Sequence, residues 1–195
     1  MDLGLKDRVY LVAASSKGLG YGVAKALAGE SAKVSMCSRT QADIEAAAKT
    51  LADETGAETM ATECDVTNPD DINAWVSKTV EAWGRIDGLL VNAGGPPAKP
   101  FKETTDEQWQ AAFELTLMSS VRMIRAAIPH MTDGGAILTV TSSSIKEPIP
   151  NLGLSTIMRS GVAGLVKTLA DELAPDNIRV NNLIPGRIDT DRVAS

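Results

Sequence analysis

Short apolar runs alternate with longer runs of amphipathic spacing from one end of the chain to the other. Val9-Tyr10-Leu11-Val12-Ala13 comes first, a continuous apolar run that predicts a buried strand. Residues 18–29 follow, rich in small side chains, with Val23, Ala24, Leu27 and Ala28 at helical spacing. Lys33-Val34-Ser35-Met36-Cys37 predicts a second strand, and residues 41–54 a helix with Thr40 as N-cap and Gly56 just past its end. Residues 58–64 predict a third strand. Asn68-Pro69-Asp70-Asp71 then joins a capping residue, a proline at the first helical position and acids in the first turn; Trp83-Gly84 closes that helix. Gly88-Leu89-Leu90-Val91-Asn92 predicts a fourth strand, and Thr105-x-x-Gln108 a capping box that opens one long helix to about residue 131. Ala136-Ile137-Leu138-Thr139-Val140 predicts a fifth strand. A loop with Pro148 and Pro150 leads to a helix over 155–173, and residues 178–184 predict a sixth strand.

Strands separated by helices pair in parallel through right-handed crossovers. Helices then cover both faces, which is why the strands run continuously apolar. The expected fold is α/β, a doubly wound parallel sheet of Rossmann type that binds ligands beyond the carboxyl ends of its strands. With 195 residues and no linker, repeat or low-complexity run, the chain reads as a single domain over 1–195.

Composition narrows the partners. A mean hydropathy of −0.03 with 44% hydrophobic residues is the balance of a soluble protein. A net charge of −6 and a pI near 4.9 argue against nucleic acid or an anionic membrane as partner. No apolar stretch reaches the length of a membrane span, and the N-terminus lacks the layout of a signal peptide, so a cytoplasmic setting is expected. Cys37 and Cys64 each end a strand and read as small buried hydrophobes. The single histidine, His130, reads as a cation at a helix end, so no metal site is expected.

The loop Ala13-Ala14-Ser15-Ser16-Lys17-Gly18-Leu19-Gly20 joins the first strand to the first helix. Gly18 and Gly20 either close a tight turn or let the backbone approach a pyrophosphate at the helix N-terminus. This run resembles the Thr-Gly-x-x-x-Gly-x-Gly segment of the short-chain dehydrogenase/reductases. Cys64-Asp65-Val66-Thr67, Val91-Asn92-Ala93-Gly94 and Arg179-Val180-Asn181-Asn182-Leu183-Ile184-Pro185-Gly186 resemble later segments of the same family, and the likeness covers nearly the whole chain. It implies six strands in the order 3-2-1-4-5-6, with the family's last strand and substrate-covering lid absent from this chain. It also implies a homo-oligomer, dimer or tetramer. For the nucleotide, it implies that Ser15, Ser16, Lys17, Gly18, Leu19 and Gly20 lie at the phosphates. Asp65 would accept from the adenine amino group, and Val66 would touch the ring. Asn92, Ala93 and Gly94 would line the cofactor, with Pro185, Gly186, Ile188 and Thr190 around the nicotinamide. Ala13 and Ala14 depart from the family's threonine and first glycine.

An enzyme selecting NAD places an acid at the end of the second strand, against the ribose 2′-OH. Here Cys37-Ser38-Arg39 stands there, and Arg39 suits a 2′-phosphate, with Lys17 as a second cation. NADP(H) is therefore expected over NAD(H). The family's catalysts are an asparagine, a serine and a Tyr-x-x-x-Lys pair. Ser142 falls at the serine, but Thr116 aligns with the asparagine, Ser155 with the tyrosine and Arg159 with the lysine. An aliphatic hydroxyl is a far weaker acid than a phenol, and a guanidinium stays protonated. Ser142, Ser155 and Arg159 are thus expected to bind and polarise a carbonyl, and Arg159 also to donate to the ribose. Lys146 and Glu147 are the nearest titratable groups in the Ser142 loop, or else an exposed pair. Tyr10 reads as core, Tyr21 as packing beside the phosphate site, and Gly94-Gly95-Pro96-Pro97 as a stiff wall or a plain turn. The resemblance implies an NADP-dependent oxidoreductase acting on a small carbonyl or alcohol with an atypical proton donor. The alternative is a catalytically silent NADP(H)-binding protein, a sensor or partner subunit.

Overall fold

The computed structural model describes residues 3–186 and 188. Six parallel strands form one sheet in the order β3-β2-β1-β4-β5-β6, which bears out the expected order. They are β1 (Val9–Val12), β2 (Lys33–Ser38), β3 (Thr59–Glu63), β4 (Gly88–Val91), β5 (Gly135–Val140) and β6 (Ile178–Leu183). The order reverses between β1 and β4, which pair with Leu11 opposite Leu89 and Val12 opposite Leu90. Their carboxyl ends therefore diverge into a crevice, and the loops after β1 and β4 face each other across it.

The helices α1 (Gly18–Gly29) and α2 (Gln41–Thr55) cover one face of the sheet. Ala24, Ala28, Ile44 and Leu51 pack there on Val12, Val34, Met36 and Leu90. The opposite face carries α3 (Pro69–Trp83), α5 (Ser119–Ala127) and α6 (Gly153–Glu172). Ile72, Trp75, Met123, Ile124 and Val166 join Leu11, Leu89, Ile137 and Val180 in that layer. Ser35 and Thr79 bring buried hydroxyls into this layer. Trp75 Nε1 donates to Ser35 Oγ at 2.9 Å, the two hydroxyls of Ser35 and Thr79 lie 2.6 Å apart, and Thr79 Oγ1 donates to the Trp75 carbonyl at 2.9 Å. Every member of the chain is satisfied, so Ser35 tolerates a buried strand. Cys37 and Cys64 are both buried free thiols, and burial pushes the Cys37 thiol well up, with Cys64 beside it adding to the rise.

Caps set four helix boundaries as the sequence predicts. Asn68 Oδ1 accepts from the Asp70 amide ahead of Pro69, and Thr105 and Gln108 form the reciprocal capping box of α4 (Asp106–Ala112). Gly56 ends α2 and Gly84 ends α3, with φ of 71° and 76°. Thr40 precedes α2, but its side chain makes no capping hydrogen bond. The predicted long helix over 106–131 is instead four pieces. After α4 the backbone widens into a π-helical stretch, Phe113–Met118, continues as α5, and tightens into a 3₁₀ turn, Ile128–His130, at Pro129. Ser119 Oγ and Ser120 Oγ take the carbonyls of Leu115 and Thr116 just there, at 2.5 and 2.7 Å. Hydroxyls bonding back onto the preceding turn distort a helix in this way. Tyr10 is half-buried rather than core, with its ring lying against Gly88.

Candidate active site

The loop after β1 is held from inside. Ser15 is fully buried, its hydroxyl donates to the Val12 carbonyl at 2.8 Å, and its amide donates to the Cys37 carbonyl at 3.0 Å. Ala14 adopts φ of 49°, the left-handed conformation that glycine takes without strain. Gly20 packs so closely under this turn that a Cβ there would strike the Ala14 carbonyl. From across the crevice Asn92 Nδ2 donates to the carbonyls of Ala13 and Ala14, both at 3.4 Å. These contacts aim α1 into the crevice. Lys17 occupies its N-cap position without a side-chain cap, and the amides of Gly18, Leu19 and Gly20 have no acceptor within the protein among the described residues. Uncapped amides at a helix N-terminus attract anions.

A cleft of about 410 Å³ opens above these amides. Of the residues singled out in the sequence it brings together Lys17, Gly18 and Leu19 at one end, with Asn92, Ala93 and Gly94 along one wall. At the other end it joins Ser142, Ser155 and Arg159 with Pro185, Gly186 and Ile188. Ser16 opens instead onto a neighbouring groove between α1 and α2, which it shares with Lys17 and Tyr21. Arg39 is exposed just past the end of β2, and no hydrogen bond or ion pair engages its side chain among the described residues. Asp65 Oδ1 accepts from the amide and the hydroxyl of Thr67 at 2.9 and 2.8 Å. Val66 is a core residue, 6% exposed. Thr190 lies outside the described residues. Lys146 and Glu147 are exposed and do not line the cleft, so they sit as the surface pair rather than as groups of the site.

The end of the cleft that holds Ser142, Ser155 and Arg159 is built from the end of β5 and the start of α6. Ser142 Oγ accepts from the Ser144 amide at 3.2 Å. Ser155 Oγ accepts from Arg159 Nε at 3.1 Å, one helical turn along. Arg159 Nη1 donates to the carbonyls of Val140 and Thr141 at 2.8 and 3.3 Å. Thr116 stands behind this cluster, in the π-helical stretch. It is 4% exposed, its Oγ1 has no hydrogen-bond partner among the described residues, and it shares a small cavity with Asn92, Ser120 and Arg159. The loop after β4 is tied to the loop after β5, because the Lys99 amide donates to the Asn151 carbonyl at 2.8 Å. Leu152 adds an apolar wall that the sequence did not single out, and Ala14 lines the cleft beside its strained turn. A residue just before a helix that follows a proline-rich loop was the available signal for Leu152.

Comparison with known proteins agrees with this architecture. A family model described as enoyl-(acyl carrier protein) reductase matches residues 13–195. Dehydrogenase/reductase SDR family member 4 of Sus scrofa is 36% identical over 189 residues, spanning 95% of this chain and 67% of the relative. The Homo sapiens protein named dehydrogenase/reductase SDR family member 2, mitochondrial, is 33% identical across 96% of this chain and 67% of its own length. Among solved structures, the L-sorbose reductase of Gluconobacter frateurii, complexed with NADPH and L-sorbose, superposes with a TM-score of 0.95 at 32% identity, covering 97% of this chain and 73% of that one. A single-substitution variant of actinorhodin polyketide ketoreductase, solved with NADPH, gives a TM-score of 0.92 at 30% identity, over 96% of this chain and 73% of that one. Sheet order, cleft position and these likenesses converge: the chain belongs to the short-chain dehydrogenase/reductase family of oxidoreductases.

Proposed function

We propose that the protein is an NADP(H)-dependent oxidoreductase that moves a hydride between the nicotinamide and a small carbonyl or alcohol substrate. One observation carries the reading: the uncapped amides of α1 and the Ser142–Ser155–Arg159 cluster open onto one cleft of about 410 Å³. The residues present fit such a cofactor. Open space stands where Gly94 and Gly186 would carry side chains, and both line the cleft. The ionisable side chains among its described lining residues are Lys17 and Arg159, both cationic.

In this reading the amides of Gly18, Leu19 and Gly20, with Ser15, Ser16 and Lys17, hold the diphosphate. Asp65 and Val66 receive the adenine, and Arg39 with Lys17 takes the 2′-phosphate. Asn92, Ala93, Gly94, Pro185, Gly186, Ile188 and Thr190 line the nicotinamide half. When bound, the nicotinamide supplies or accepts the hydride. The chain's own part is to bind and polarise the substrate oxygen. Ser142 and Ser155 each already accept a hydrogen bond, so each has its own hydrogen left to donate. Two such donors aimed at one oxygen stabilise the negative charge that develops on it. Thr116 supports the cluster from behind. Neither serine is a proton donor near neutral pH, so solvent supplies the proton. The L-sorbose reductase and the ketoreductase, both solved with NADPH, support the cofactor class. We further propose one domain over 1–195 and a homo-oligomer, dimer or tetramer, in a cytoplasmic setting.

The test is isotopic. NADPH deuterated at C4 is incubated with a panel of ketones, aldehydes and sugars, and the products are read by mass spectrometry. Deuterium on a carbinol carbon, lost in Ser142→Ala, is the expected result. The confinement of ionisable lining groups to Lys17 and Arg159 also favours the second reading, a silent NADP(H)-binding sensor or partner subunit. NADPH binding without deuterium transfer to any substrate would establish that one.

A further inference from the structure

Arg159 is 8% exposed, and its guanidinium is engaged largely by the protein itself. Nε–H donates to Ser155 Oγ at 3.1 Å; Nη1 donates to the Val140 and Thr141 carbonyls at 2.8 and 3.3 Å. Val140 ends β5, Thr141 follows, and Ser142 comes next. One side chain thus bridges the two segments that carry the two hydroxyls of the site. A hydroxyl has one hydrogen and two lone pairs. With Nε–H on one lone pair, the Ser155 hydrogen is left to donate, and no acceptor in the protein takes it among the described residues. A hydroxyl that accepts from a cation is itself a stronger donor, because successive bonds polarise one another.

We propose that Arg159 is a positioning residue that acts through Ser155: its Nε–H fixes the Ser155 rotamer and polarises the O–H, while its Nη1 pins the end of β5 that carries Ser142. The inference rests on the oxidoreductase reading and assigns within it what replaces the phenol as hydrogen-bond donor to the substrate oxygen, the proton itself still coming from solvent. That donor is the Ser155 hydroxyl, held and polarised by the Arg159 guanidinium. The planar fork is essential to this. A lysine ammonium is a compact point charge on a flexible stem and cannot hold Ser155 and two carbonyls in one plane. The competing arrangement has the guanidinium bound directly to the cofactor ribose, with Ser155 independent of it.

The two are separated by Arg159→Lys, Ser155→Ala and the double variant, each first checked for a cooperative melt. NADPH affinity is read by fluorescence titration, turnover with 2,3-butanedione, and the Arg159 Nε–H by NMR on arginine-labelled protein. The pair requires NADPH affinity within about twofold of wild type in both single variants, since neither group is a cofactor hook. It requires each single variant to lower kcat by about 100-fold and the double variant to fall no further, the mark of residues acting as one unit. It also requires the Arg159 Nε–H signal, slow to exchange in wild type, to shift and exchange faster in Ser155→Ala. Multiplicative losses in kcat, or NADPH affinity about tenfold weaker in Arg159→Lys alone, overturn the proposal in favour of direct ribose contact. So does an Nε–H signal indifferent to Ser155→Ala. A wild-type chain that binds NADPH but reduces nothing overturns the oxidoreductase reading instead; the Arg159–Ser155 unit then stands or falls on the NMR signal.

Discussion

At Ala14 the chain holds φ of 49° with a methyl group where the turn favours none. The strain is tolerated because four other contacts define the turn: the Ser15 hydroxyl on Val12, the Ser15 amide on Cys37, the packing of Gly20, and Asn92 on the two carbonyls. Ala14→Gly is expected to raise stability in urea by about 0.5–1 kcal/mol, through relief of strain offset in part by a more flexible unfolded chain. A fall in the urea midpoint would show that the turn is not strained. Asp87, 7% exposed at the far end of the sheet, is the opposite case of a residue held by its partners. Burial alone would raise its carboxyl, but hydrogen bonds from Arg85, the Val9 amide and Arg8 hold it below the usual carboxylate range. A depressed native pKa adds stability above the unfolded pKa and loses it as pH falls through the native one. Stability is therefore expected to drop as pH is taken below about 4, and less steeply in Asp87→Asn, which at pH 7 costs about 2–3 kcal/mol. Identical acid profiles for the two proteins would contradict this.

At the scale of elements, the carboxyl ends of the strands were legible because each ends in a chemically marked loop. Glycines follow β1, Arg39 follows β2, Asp65 follows β3, Asn92 follows β4, Ser142 follows β5 and Pro185 follows β6. The capped helices were legible too. Thr105→Ala removes one side of the α4 box and is expected to cost about 1 kcal/mol in urea melts. The π-helical stretch was not legible. Phe113-Glu114-Leu115-Thr116-Leu117-Met118 spans too few residues for a period of 3.6 to be told from a wider one, so the run reads as continuous helix. Its consequence is local: it sets Thr116 behind Arg159 with an unpaired hydroxyl. The burial of Arg159 was hidden for a different reason. Sequence marks the charge and its place one turn after Ser155, but only the packing of α6 on β5 brings two strand-end carbonyls within reach. Thr40 shows the reverse error, a suitable capping residue whose side chain makes no cap.

For the whole molecule, function follows from where the strand order reverses. β1 and β4 lie side by side, so the loops that leave them bound one crevice, and α1 enters it amides first. The loop after β5 and the start of α6 add hydroxyls and Arg159 to the crevice, and the loop after β2 carries the exposed Arg39. Arg39 is exposed just past β2 and makes no hydrogen bond or ion pair among the described residues; in the proposed reading it is the group that distinguishes NADP(H) from NAD(H). Arg39→Ala should therefore leave stability within about 0.5 kcal/mol of wild type while narrowing the preference between the two coenzymes. The central claim is that this crevice holds a phosphorylated dinucleotide, and calorimetric titration of the wild-type chain with NADPH and with NADH tests it most directly. Saturable binding of one molecule per chain is expected, with NADPH tighter by about tenfold or more, a difference near 1.4 kcal/mol. Heats indistinguishable from dilution for both coenzymes would contradict the account.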